Sequence, residues 1–152
     1  YEYKEDPKPY LKYEEITNLI LNLSKSSGLK NRKNNCSSTT PSILVVEPQR
    51  MLQILLLQKF VENNYFATAV GSAAEAINLY GEQSPDLLVS EEILEHSTGI
   101  RLAQQLGCSV IVLTDKSEAE AIANLLDEGA DDVLRKPFQI DELLARCRKI
   151  IL

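Results

Sequence analysis

The sequence predicts an α/β domain over residues 43–152: a doubly wound sheet of five parallel strands with helices on both faces. An amphipathic helix and a polar linker precede it over residues 1–42. Three observations point to this fold. Short aliphatic runs without alternation, Ile43-Leu44-Val45-Val46 and Val110-Ile111-Val112-Leu113, suit strands buried on both faces. Stretches with apolar residues at helical spacing separate such runs, so strand and helix alternate and parallel, right-handed crossovers follow. The composition, 44% apolar and 25% charged, is that of an ordinary globular chain of one domain plus an appendage.

Residues 9–26 read as a helix, with Leu11, Ile16, Leu19, Ile20 and Leu23 near helical spacing and Lys12, Glu14, Glu15 and Asn22 elsewhere on the wheel. From Ser24 to Ser42 the pattern gives way to Ser, Thr, Asn and Lys, closing with Pro41, which is the composition of a mobile linker. Its cations Lys25, Lys30, Arg32 and Lys33 are either solvated or set to touch an acidic surface.

Ile43–Val46 is the first strand. Residues 49–63 form a helix rich in apolar positions: Met51, Leu52, Ile54, Leu55, Leu56, Phe60 and Val61. A strand near Tyr65–Val70 and a helix near Ala73–Tyr80 follow. Asp86–Ser90 is the third strand and Ile100–Leu106 the next helix. Val110–Leu113 is the fourth strand, followed by a helix over Glu118–Asp127 that Gly129 stops. Val133-Leu134 is a short fifth strand, and Ile140–Ile151 closes the chain. Asp141 and Glu142 in its first turn and Arg146, Arg148 and Lys149 towards its end suit the helix dipole.

Charge and composition exclude several functions. Residues 1–42 carry seven Lys/Arg against five Asp/Glu, whereas residues 43–152 carry nine against seventeen, a net −8. So acidic a domain is a poor ligand for nucleic acid, whose phosphates need Lys and Arg. No run of about 18 apolar residues offers a membrane span. Cys36, Cys108 and Cys147 lack ligand spacing and one histidine accompanies them, so no metal site or disulfide framework is expected, and the setting is a reducing cytoplasm. The chain opens Tyr-Glu-Tyr-Lys, without an initiator Met or signal-peptide pattern, and reads as a piece of a longer protein.

In a parallel sheet of this kind the site lies beyond the carboxyl ends of the strands. That selects Glu47 and Pro48, Glu91 and Glu92, Thr114 and Asp115, and Lys136 and Pro137. Two carboxylates, a hydroxyl and an ammonium at four successive strand ends, together with Gly129-Ala130-Asp131-Asp132-Val133-Leu134-Arg135-Lys136-Pro137-Phe138 and Glu142-Leu143-Leu144-Ala145-Arg146, resemble the receiver domain of two-component response regulators. The similarity is greatest to the OmpR/PhoB class and spans residues 43–152. Pro85-Asp86-Leu87-Leu88, Gly99 eight residues after Glu91, and the spacing from Thr114 to Lys136 add to it, while the chain between Gly99 and Thr114 is a few residues short. The resemblance implies the flavodoxin-like fold of CheY with strand order 2-1-3-4-5.

It also implies a chemistry. In a working receiver an Asp ending the third strand takes a phosphoryl group, an acidic pair after the first strand holds Mg²⁺, and a Thr and a Lys bind the phosphoryl oxygens. This sequence departs from that pattern at most of these positions. Glu91 stands in place of the acceptor Asp, its extra methylene moving the carboxylate by roughly an ångström or more. Pro48 replaces the second acid and supplies no side-chain oxygen. Asp115 follows Thr114 where a small residue is usual, Val133 takes the place of the switch aromatic, and Glu95 that of a Pro. Thr114, Lys136 and Pro137 match.

The expectation is therefore a degenerate receiver: no enzyme, no cofactor, Mg²⁺ binding weak or absent, acting through protein partners with little or no phosphorylation. The alternative is a receiver that still takes phosphate, on Glu91 or Asp86, and serves a DNA-binding regulator whose effector domain lies outside this chain. Glu91 can reach Lys136; such an ion pair either imitates phosphate incompletely or only neutralises a buried ammonium. Asp131, Asp132 and Arg135 opposite Arg146 and Arg148 suit either a two-fold contact between copies or a solvated surface. His96 has no ligand partners, Ser90 lies in no Gly-x-Ser-x-Gly elbow, and no Gly-rich phosphate loop follows a strand.

Overall fold

The computed structural model describes residues 40–80 and 83–152. The helix expected over 9–26 and most of the linker lie outside the described residues. From Ser42 on, the elements are β1 (Ser42–Val46), α1 (Arg50–Glu62), β2 (Phe66–Val70), α2 (Ala73–Tyr80), β3 (Leu87–Glu91), β4 (Ile93–Leu94), β5 (Ser97–Thr98), α3 (Gly99–Leu106), β6 (Ser109–Thr114), α4 (Ala119–Glu128), β7 (Asp132–Arg135) and α5 (Ile140–Ile151). Five strands form one parallel sheet in the order β2-β1-β3-β6-β7. Counting the sheet strands alone, this is the predicted order 2-1-3-4-5.

β4 and β5 were not anticipated. They pair antiparallel as a two-residue ribbon between β3 and α3, with Glu95 and His96 at its tip and His96 at φ 60°. Two residues per strand are too few to write an alternation into the sequence.

Period-two geometry sends successive strand side chains to opposite faces. Leu44, Val46, Leu88, Val110 and Val112 join Ala73 and Ala76 of α2, Ile100, Leu102 and Ala103 of α3, and Leu125 of α4 in one apolar cluster. The alternate residues Ile43, Val45, Leu87, Val89, Ile111 and Leu113 are equally buried. They point to the other face, where α1 contributes Leu56, Leu57 and Phe60, and α5 contributes Leu143, Leu144 and Cys147. Phe60 meets Tyr65 edge to face, ring centroids 5.9 Å apart, a geometry that aromatic quadrupoles favour.

Two local devices fix the chain around the carboxyl ends. Thr98 caps α3, its Oγ1 accepting the Arg101 N–H at 3.1 Å. Gly99 begins that helix against β3: a Cβ there would lie 2.8 Å from Ser90 Oγ and 2.9 Å from the Glu91 carbonyl oxygen. Backbone cannot retreat cheaply, so Gly99→Ala is expected to cost about 1–3 kcal/mol. Urea unfolding should read this as a lower midpoint at unchanged slope.

Candidate functional site

The carboxyl ends of β1, β3, β6 and β7 bring together residues far apart in sequence. Val46 is in register with Ser90, Glu91 with Leu113, and Thr114 with Arg135. Backbone bonds carry this alignment past the strands: Glu47 N–H donates to Val70 O at 3.1 Å, and Lys136 N–H to Thr114 O at 2.8 Å. The Lys136–Pro137 peptide is cis.

Two charge clusters result. In the first, the Lys136 ammonium donates to Glu47 Oε2 at 3.1 Å and pairs with Glu91 Oε2. Glu47 is 2% exposed, and its other oxygen accepts the Gln49 N–H at 3.0 Å. Burial pulls the Lys136 ammonium down, but its bonds to Glu91 and Glu47 outweigh this and leave it above the ordinary lysine value. For Glu91, burial drives the carboxyl up, Lys136 opposes this without cancelling it, and Glu47 adds to the rise. With all three charged, two acids share one cation.

The second cluster centres on Glu92. Thr114 Oγ1 donates to Glu92 Oε1 at 2.6 Å, and Lys116 Nζ reaches Glu92 Oε2 at 2.7 Å. Burial raises the Glu92 carboxyl, but the bonds from Lys116 and Thr114 win and hold it below the usual carboxylate range. The hydroxyl at the end of β6 is thus turned to Glu92, while the ammonium of Lys136 is turned to Glu91 and Glu47. Sequence reasoning placed Glu92 beside Glu91 without a role and did not single out Lys116. Neighbouring acids at a strand end carry no signal telling which of them a hydroxyl on the next strand will meet.

The remaining predicted positions lie as follows. Pro48 and Asp115 are exposed, and Val133 packs in the cluster under α2, α3 and α4. Asp86, considered as a second phosphate acceptor, precedes β3 at the opposite end of the sheet, roughly 16 Å from Glu91 at strand rise. There it accepts the Ser42 N–H at 2.7 Å, which removes it from the site. A cavity of about 500 Å³ opens near that same end, lined by Asp86, Ile100, Cys108 and Asp131 among others. Among the described residues no group of three or more His, Cys, Asp or Glu is arranged to hold a metal ion.

Four of the five charges suggested for a contact between copies have partners within the chain. Arg146 donates to Asp132 at 2.8 Å and to Glu142 at 2.9 Å. Asp131 accepts the Val110 N–H at 2.8 Å, and Arg135 donates to Ser117 O at 3.1 Å. Arg148 is exposed.

Removing Lys136 leaves Glu47 and Glu91 facing each other. Lys136→Ala is expected to lower stability at pH 7 by on the order of 2 kcal/mol, less than the roughly 3–5 kcal/mol of a wholly buried pair because solvent screens the site. Part of the loss should return near pH 5, as Glu91, whose pKa is raised, takes up a proton. In the unsubstituted chain Lys136 has the opposite pH window. Its folded value lies above 10.5, so its contribution is whole below that pH and fades as pH climbs through the raised value. Urea titrations at pH 5, 7 and above 10 check both signs.

The receiver profile, "Response regulator receiver domain", matches residues 43–148. Response regulators MprA of Mycobacterium avium and Mycobacterium tuberculosis are 34% identical over 115 residues, 72% of this chain and 50% of theirs. The chain therefore spans about half the length of these curated relatives. Among solved structures, the Francisella response regulator 1452 receiver domain is 29% identical with a TM-score of 0.67, covering 74% of this chain and 97% of that one. The non-phosphorylated HemR receiver domain from Leptospira biflexa is 28% identical with a TM-score of 0.64, covering 74% and 94%. With the fold, the strand-end residues and these likenesses in agreement, the chain belongs to the response regulator receiver domain family of two-component signalling.

Proposed function

We propose that this receiver signals through protein contacts, with little or no phosphorylation, and that it is not an enzyme. The observation that carries this reading is the engagement of Lys136 by Glu91 and Glu47. The ammonium that would meet phosphoryl oxygens already has two carboxylates, one of them standing where the acceptor Asp would be. A Glu–Lys pair of this kind holds the pocket in a single charge state with no donor required.

Mg²⁺ does not fit this donor set. The ion demands a near-ideal octahedron of oxygens. Pro48 offers no side-chain oxygen, and each oxygen of Glu47 already accepts one hydrogen bond, from the Gln49 amide and from Lys136. We therefore expect Mg²⁺ binding to be weak or absent.

Partners are proteins of the kinase and effector kinds that receivers meet. A second copy is a further candidate partner, through the face carrying Asp131, Asp132, Arg135, Arg146 and Arg148, which would have to share Arg146 with its internal acids. Direct nucleic-acid binding is disfavoured by the net −8 of residues 43–152. A cytoplasmic setting is inferred from the sequence alone, whose three cysteines lack ligand or disulfide spacing. Among the described residues no helix is long and apolar enough to cross a membrane.

The second reading is a phosphorylatable receiver serving a transcription regulator. Its support is the similarity to MprA, of which this chain spans about half. Incubation with Mg²⁺ and acetyl phosphate, read by intact mass, separates the two. No phosphoryl increment is expected, and Glu91→Asp alone should not create one, because Pro48 still withholds a ligand. Stoichiometric, acid-stable and base-labile labelling of the unsubstituted chain would overturn the first reading.

A further inference from the structure

Glu92 joins two loops that the sheet leaves separate. Its backbone N–H donates to Leu113 O at 2.8 Å, and its carbonyl accepts the Gly99 N–H at 3.0 Å, so the residue is fixed between β6 and the start of α3. From that anchor the carboxylate reaches across to the segment after β6. One oxygen takes the Thr114 hydroxyl proton at 2.6 Å and the other the Lys116 ammonium at 2.7 Å. Thr114 Oγ1 in turn accepts the Lys116 N–H at 3.1 Å. A threonine hydroxyl has one proton to donate, and here that proton is committed. Both bonds to the carboxylate are charge-assisted, and Glu92 is only 12% exposed on its side chain.

We propose that Glu92 is a built-in ligand of Thr114: a positioning residue that holds the hydroxyl and the 115–117 loop in one arrangement and withdraws that donor from any outside anion. The inference deepens the reading of a receiver without phosphoryl chemistry and rests on it for its consequence. Adjacent acids divide the pocket's two donors. Glu91 takes the ammonium of Lys136, and Glu92 takes the hydroxyl of Thr114. The pocket is thus closed twice, and reopening the Glu91 side leaves the Thr114 side shut.

The test needs neither donor nor metal, so it stands apart from the labelling experiment. Amide hydrogen exchange is followed by NMR in the full chain and in the Glu92→Gln and Glu92→Leu variants. Leu removes every acceptor; Gln keeps one oxygen for Thr114. Glu92→Leu should speed exchange at the Lys116 amide by roughly tenfold or more, the scale of a lost charge-assisted hydrogen bond, with the strands of the sheet little changed. Glu92→Gln should retain most of the protection. Three results would overturn the proposal: unchanged exchange at Lys116 in the Leu variant, equal acceleration throughout the sheet, or Gln and Leu variants that behave alike. Should the Leu variant fail to fold, Glu92→Ala takes its place, since it removes the same acceptors while leaving Thr114 Oγ1 in place to accept the Lys116 N–H. Faster exchange at Lys116 in Glu92→Ala but not in Glu92→Gln, with the sheet little changed, supports the clasp, and unchanged exchange in Glu92→Ala overturns it.

Discussion

A lysine ammonium largely removed from water beside two carboxylates is the constraint around which this pocket is organised. Lys136 cannot stay charged there without close acids, because desolvation alone disfavours its charged form. Glu91 and Glu47 provide them, and neither acid could face the other comfortably without the cation between. The three are mutually dependent, which ties the ends of β1, β3 and β7 into one electrostatic unit. Burying such a group is not in itself a source of net stability. It does fix which arrangement the pocket adopts.

The parallel sheet makes this unit possible. Each strand delivers a residue at or just past its carboxyl end, so groups separated by 89 positions, as Glu47 and Lys136 are, come within hydrogen-bond distance. The aliphatic interior below is buried on both faces and leaves the polar chemistry no other place than the rim. Gly99 shows how tight that rim is: the β3 terminus and α3 approach so closely that even a methyl group has no room.

Much of this was legible from residue patterns. Ile43–Val46 and Val110–Leu113 announced themselves because strands covered on both faces need unbroken aliphatic runs, and Gly129 marked the end of α4 with its φ of 125°. The strand-end rule selected Glu47, Glu91, Thr114 and Lys136 before any coordinates. Partner choice was not legible. Which carboxylate Thr114 meets depends on a loop path of a few ångströms, set by backbone bonds from Glu92 to Leu113 and Gly99 that no spacing encodes. The β4–β5 ribbon escaped for a similar reason, since its order comes from the turn at Glu95 and His96 and not from periodicity. Asp86 fails the same strand-end rule that selects Glu91: it stands at the amino end of β3, where it serves Ser42.

The buried thiol of α5 has a consequence of its own. Cys147 has no exposed surface, and burial pushes it up to about 12. At neutral pH only on the order of one molecule in 10⁵ would carry the thiolate. Alkylating reagents and peroxides therefore pass over it while the domain is closed. Modification of Cys147 thus reports how often α5 leaves the sheet.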